Sequence, residues 1–236
     1  MTSRETPESA MFAPPRTASF ERVEIMADAS PTVEFLERLA AQTIEGSRRF
    51  ARLYLAVLFN PGREISETAA GSRWSFPLAM ILGHSLLTAV LLRVGWPLGA
   101  RGAGLSEAVA GSRINVPVVF LALIVFLGSL SVLTLLGVRV FARQRAGLLT
   151  AMNCVAVAAV PLSALTVAAW MVLYLSPALS LLVLFFGALS AVGFFAEALR
   201  SQCDMSVGSC LYVIPLMVVV ALLITAFFLL TLGGRS

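Results

Sequence analysis

Lysine is absent from this chain, and charge of either sign is scarce. Only 13% of the 236 residues are charged, whereas 58% are hydrophobic; a soluble globular domain carries about 25% charged residues. The deficit is concentrated rather than spread. Between Arg145 and Glu197 lie 51 residues without one Asp, Glu, Arg, Lys or His. At roughly 1.5 Å of rise per residue that is about 75 Å of helix, more than twice a ~30 Å hydrocarbon core. A water-soluble fold has no place to bury such a run, so the composition predicts an integral membrane protein. Histidine is nearly missing too. A lone His84 cannot supply two haem ligands, and no HExxH or comparable carboxylate set exists for a zinc site. No cofactor is expected. The three cysteines, Cys154, Cys203 and Cys210, form no CxxC pair and demand no disulfide; Cys154 is expected to act as a small apolar residue. The first thirty residues contain no apolar signal-peptide core, so insertion is expected to begin with the first span.

The charge that is present is unevenly placed. Residues 1–50 hold six Arg against eight acids, a balance of −2, and residues 51–236 hold eleven Arg against five acids, a balance of +6. The basic excess thus belongs to the membrane part, where it suits lipid phosphates and topology rather than nucleic acid. Residues 1–29 are rich in Pro, Ser, Thr and Glu without a sustained period and read as a disordered cytoplasmic tail. From Ser30 an N-cap, Pro31 at the first helical position and Glu34 in the first turn announce a helix. Val33, Leu36, Leu39, Ala40, Ile44, Phe50, Leu53, Tyr54 and Val57 recur at three- and four-residue steps, with a break expected near Gly46. Such an amphipathic helix fits the headgroup region or the surface of a partner chain. Asn60, Pro61 and Gly71 then bracket a short interfacial helix, and Arg73 with Trp74 marks the headgroup boundary. Residues 30–73 are therefore expected to lie along the membrane and to turn into it at a corner.

Five spans follow, at about 76–92, 116–138, 148–175, 178–196 and 211–232. The predicted fold class is all-α: a polytopic five-helix transmembrane bundle preceded by amphipathic interfacial helices, with residues 74–236 as the membrane domain. Ser176-Pro177 makes spans three and four a tight hairpin. Pro77, Pro117, Pro177 and Pro215 fall near span starts, where a missing N–H costs little. Pro161 lies inside the third span and is expected to kink it. Six arginines flank the spans on one side (63, 73, 139, 143, 145 and 200) and four on the other (93, 101, 113 and 235). That asymmetry orients the N-terminus to the cytoplasm and the C-terminus outside.

Few residues invite chemistry. His84 lies about seven residues, or roughly 10 Å, into its span; it is expected to make an interhelical hydrogen bond, with a ligand or proton contact as the sharper alternative. Asn153 is the only amide expected inside the membrane. A hydrolase would need a nucleophile such as Ser190 beside His84, and nothing near it resembles a nucleophile elbow. Arg139, Arg143 and Arg145 suit anionic lipid headgroups at up to about 1 kcal/mol each and also anchor the topology. Glu197, Arg200 and Asp204 read as a solvated helix end with weak ion pairs, or as a recognition patch. Ala151, Ala156, Ala159, Ser163, Ala164 and Ala168 in the third span, and Gly187 with Ala191 in the fourth, are small residues that let helices approach closely.

Three stretches also carry a resemblance. "LFNPGREISETAAGSRWSFPLAM" combines an Asn-Pro break, a short helix and a small-Trp-x-x-Pro-Leu start. "RQRAGLLTAMNCVAVAAVPL" is a small-residue run ending in Pro, and "DMSVGSCLYVIPLMVVV" opens the last span. Together they resemble, across about residues 55–232, the bacterial form of the Yip family of Ypt/Rab-interacting membrane proteins. The resemblance implies five helices, a cytoplasmic N-terminal region, a short exoplasmic C-terminus, and work in membrane organisation or trafficking rather than catalysis; the expected location is a bacterial inner membrane. The eukaryotic members' Asp-Leu-Tyr-Gly-Pro tail motif is absent, and Asn153-Cys154 stands where Gly-Tyr often occurs, so no GTPase contact is carried over and a Rab-type GTPase is not expected. The expected partners are the bilayer with its anionic lipids, and other membrane proteins or further copies. The expected function is a non-enzymatic scaffold; the alternative is a permease subunit with a path near His84, Asn153 and Pro161.

Overall fold

A computed structural model describes residues 31–61, 74–102, 114–142 and 146–233, with side chains from residue 45 to 231 within those ranges. The expected tail, the short helix after Pro61, and Arg63, Arg73, Arg113, Arg143, Arg145 and Arg235 lie outside the described residues. The described residues form six α-helices: α1 (Pro31–Phe59), α2 (Ser75–Gly102), α3 (Val116–Gly137), α4 (Leu148–Leu173), α5 (Pro177–Cys203) and α6 (Val207–Gly233). A π-helical turn, Val138–Ala142, continues α3. The described residues from 46 onward belong to one compact unit, and residues 31–45 of α1 to another.

Helices α2 to α6, with the π turn included in α3, are each long and apolar enough to cross a bilayer. Their outer surfaces agree with a membrane setting. Leu181, Leu211, Phe227 and Leu230 stand at least two-thirds exposed along the sides of α5 and α6. Continuous apolar flanks of this kind associate in water and are satisfied by lipid. The chain is a multi-pass membrane protein.

Local chemistry sets the helix ends. Ser176 accepts from Leu179 N at 3.4 Å and Pro177 opens α5, so the hairpin turn falls where Ser176-Pro177 predicts it. The turn between α5 and α6 is equally short, three residues. Asp204 adopts the left-handed conformation (φ 49°), its N–H and that of Met205 return to the Leu199 carbonyl, and Ser206 Oγ accepts from Ser209 N at 3.1 Å to open α6. One expectation is corrected. α1 runs unbroken through Gly46, because one glycine costs a helix only about 1 kcal/mol. α2 runs ten residues past Leu92, through Arg93 and Pro97. Arg93 does not end it, since the guanidinium donates to the Ile114 carbonyl at 2.9 Å and ties the end of α2 to the start of α3.

α4 is the central helix: half of its apolar window is buried, against 17% for α5 and 22% for α6. Its small residues explain this, since Ala151, Ala156 and Ala159 are all buried at the contacts with its neighbours. Contact pairs give the directions. Ala169 meets Ser180, Leu165 meets Gly187 and Cys154 meets Gln202, so α4 and α5 are antiparallel. His84 meets Ser163 while Gly95 meets Trp170 and Leu173, so α2 and α4 are parallel. Alternation of direction along the chain is what successive crossings require.

Candidate functional site

The most polar part of the interior is the contact between α2 and α4. Buried His84 places Nδ1 2.8 Å from buried Ser163 Oγ, and Ser163 Oγ donates its only hydrogen to the Ala159 carbonyl at 2.7 Å. The tautomer follows from that count. Since the serine hydrogen is committed, Ser163 can only accept from the ring, so Nδ1 carries the proton and Nε2 of the neutral imidazole is the acceptor. His84 therefore makes the interhelical tie expected of it. Ser85 Oγ and Thr88 Oγ1 on α2, and Trp170 Nε1 on α4, are buried atoms without a hydrogen-bond partner among the described residues.

A third element reaches the same stretch of α4. Tyr54, from α1, donates its hydroxyl to the Val160 carbonyl at 3.1 Å, one residue before Pro161. Burial pushes its phenol above the ordinary value, which keeps the hydroxyl protonated and donating. The Phe50 ring lies tilted against Phe76 at the start of α2, with ring centres 6.1 Å apart, and Val57 has no exposed surface. Phe50, Leu53, Tyr54, Val57 and Leu58 face the bundle, whereas Arg48, Arg49, Arg52, Leu55 and Phe59 are exposed. The described part of α1 thus packs one stripe against the bundle and turns a basic-to-apolar stripe outward.

The other expected site residues are spread out. Asn153 is buried on α4, but ten residues below Ser163, about 15 Å along the helix. It therefore does not join His84 and Pro161, and the three do not line one short stretch. Arg139 is exposed in the π turn after α3. Glu197 and Arg200 form an exposed ion pair at 3.4 Å, of the kind worth under ~1 kcal/mol, and Asp204 is the cap residue that ends α5. No group of three or more His, Cys, Asp or Glu among the described residues is arranged to hold a metal ion. Sequence reasoning missed Tyr54 as a polar tie and Ser163 as the partner of His84. The polar residues His84, Ser85 and Thr88 within one turn of an apolar span were the available signal.

The His84–Ser163 tie has a modest expected energy. A double-mutant cycle of His84→Ala and Ser163→Ala, read by unfolding in mixed micelles, should give a coupling of about 0.6–1.7 kcal/mol, the range for interhelical hydrogen bonds in lipid. No coupling would show that the two side chains do not meet.

No protein-family model, curated protein or solved structure matches this chain. Function is therefore read from a membrane bundle whose one histidine is bonded between helices and whose α1 turns a basic and apolar face away from the core.

Proposed function

We propose that the chain is a non-enzymatic membrane scaffold, Yip-like in its plan, that recruits partner membrane proteins or further copies of itself through α1. The observation that carries this reading is the division of α1: one stripe is used up on the bundle, and Arg48, Arg49, Arg52, Leu55 and Phe59 remain available. Arg139, with Arg143 and Arg145 beside it in sequence, serves as an anchor to anionic headgroups. By the arginine asymmetry the N-terminus is cytoplasmic and the C-terminus outside, in a bacterial inner membrane. His84 is a structural tie in this reading.

A second reading, a permease subunit, draws on the buried partnerless atoms of Ser85 and Thr88 beside His84, since such groups call for water or a passing solute. One pair of variants separates the two. The scaffold reading expects His84→Ala to retain cross-linked partners in native membranes, and deletion of residues 30–59 to abolish them. Loss of solute uptake in His84→Ala, with the deletion tolerated, would overturn the scaffold and support the permease.

A further inference from the structure

The free side of α1 changes character along its length. Arg48, Arg52, Leu55 and Phe59 follow one another at steps of four, three and four residues, so they form one stripe along the helix. Arg49 stands beside the charged end. The three guanidinium groups are exposed, and none has an ion-pair partner among the described residues. Counting Glu45, one turn earlier, the stretch holds three Arg against one Glu, a balance of +2. Leu55 is 50% exposed and Phe59 80%. The stripe is thus cationic at one end and apolar at the other, over about 16 Å.

Two contacts set its depth. The Phe50 ring meets Phe76 at the start of α2. That is the end of the bundle where α4 and α6 also start, and Trp74 and Tyr212 are exposed there. Exposed Trp and Tyr mark the headgroup boundary, so Arg48, Arg49 and Arg52, all within two residues of Phe50, stand at that boundary. Tyr54 is tied to the Val160 carbonyl. Because His84 pairs with Ser163 on parallel helices, Val160 is level with residue 81 of α2, roughly 8 Å further in than Phe76. This part of α1 therefore points from the headgroups into the hydrocarbon, with its charges at the surface and Phe59 deepest.

Guanidinium forks match phosphate oxygens, and exposed Leu and Phe at that depth are covered by acyl chains. One kind of molecule meets both needs at this spacing. A zwitterionic phospholipid brings its own cation and leaves the arginines without a net counter-charge. A free phosphate leaves Leu55 and Phe59 uncovered.

We propose that this stripe binds an anionic phospholipid, its phosphate on Arg48 and Arg52 and an acyl chain along Leu55 and Phe59. Arg49 adds to the local positive potential. Such a site goes beyond both readings of the function and depends on neither.

The test uses the full chain in liposomes holding equal amounts of phosphatidylglycerol and phosphatidylcholine, with a photoreactive benzophenone side chain at position 59. Irradiation, digestion and mass spectrometry count the lipid adducts. Each arginine near an anionic surface gives about a fivefold preference. Phosphatidylglycerol adducts should therefore exceed phosphatidylcholine adducts at least fivefold, and Arg48→Gln with Arg52→Gln should lower the ratio at least fivefold. The same probe at position 185 is the control: Phe185 is exposed on α5, in the stretch without a charged residue, and should capture the two lipids equally. Partner recruitment is scored separately, by the 30–59 deletion in native membranes, so either idea can fail without the other. A ratio at position 59 no higher than at 185, a ratio indifferent to the two substitutions, or capture of a second chain in place of lipid would overturn the proposal. So would loss of the preference when inorganic phosphate replaces chloride at constant ionic strength.

Discussion

Val57→Asp should release the C-terminal half of α1 from the bundle while leaving α2 to α6 assembled. Val57 has no exposed surface, and its neighbours on the packed stripe, Phe50, Leu53, Tyr54 and Leu58, all touch the same core. A carboxylate placed there has no water and no cation built to meet it. Burying such a charge without a partner costs about 3 kcal/mol or more. What holds α1 in place is of similar or smaller size. The Tyr54 hydrogen bond contributes about 1 kcal/mol, and the Phe50–Phe76 ring contact at 6.1 Å about 0.5–1.5 kcal/mol. Burial itself adds little, since an undocked α1 can bury the same apolar residues in lipid. The docked-to-free ratio should fall roughly a hundredfold, at about 1.4 kcal/mol per factor of ten. Limited trypsin digestion reads the change at exposed Arg48, Arg49 and Arg52, because cleavage of a docked helix waits for local opening. Faster cutting at these three sites, with the rest of the chain protected, is the expected pattern. Unchanged rates would mean that α1 is not docked through Val57.

Gly187→Leu should weaken the α4–α5 hairpin by about 1–3 kcal/mol, the usual cost of overpacking. A Cβ at Gly187 would stand 3.1 Å from Leu165 Cβ. Leu165 Cβ is fixed to the backbone of α4 and cannot swing aside, so the helices themselves must part. That matters in lipid, where close packing and a few hydrogen bonds hold helices together. On this interface the bonds include Ser180 Oγ to the Ala169 carbonyl at 2.8 Å. The control is on the same helix: a Cβ at Gly193 meets nothing within 4 Å, so Gly193→Leu should leave stability unchanged. Unfolding in mixed micelles compares the two. Equal effects would show that Gly187 is not at a helix contact.

What the sequence revealed and what it hid differ in range. The five spans were legible because each is a long block of one composition, and the α4–α5 turn because Ser176-Pro177 is a local signal. α2 continues beyond its expected span for a physical reason. Arg93 looks like a boundary residue locally, but its guanidinium finds its acceptor, the Ile114 carbonyl, 21 positions on. Gly46 looked like a break, yet its cost is small beside the cooperative propagation of a 29-residue helix. The site residues suffered most. His84 and Ser163 are 79 positions apart, and Tyr54 and Val160 are 106 apart. Their meeting is decided by the register of packed helices, which no single-chain periodicity encodes. Asn153 stands apart from His84 for the same reason, since ten residues of helix rise separate it from Ser163.

Washing membranes that carry the protein at alkaline pH, and then extracting them with and without detergent, probes the five crossings on which all of this depends. Chain retained through the wash, and released folded only by detergent, is the predicted outcome. A helical monomer recovered in plain aqueous buffer would contradict it, because the bare apolar flanks of α5 and α6 would then have needed no lipid.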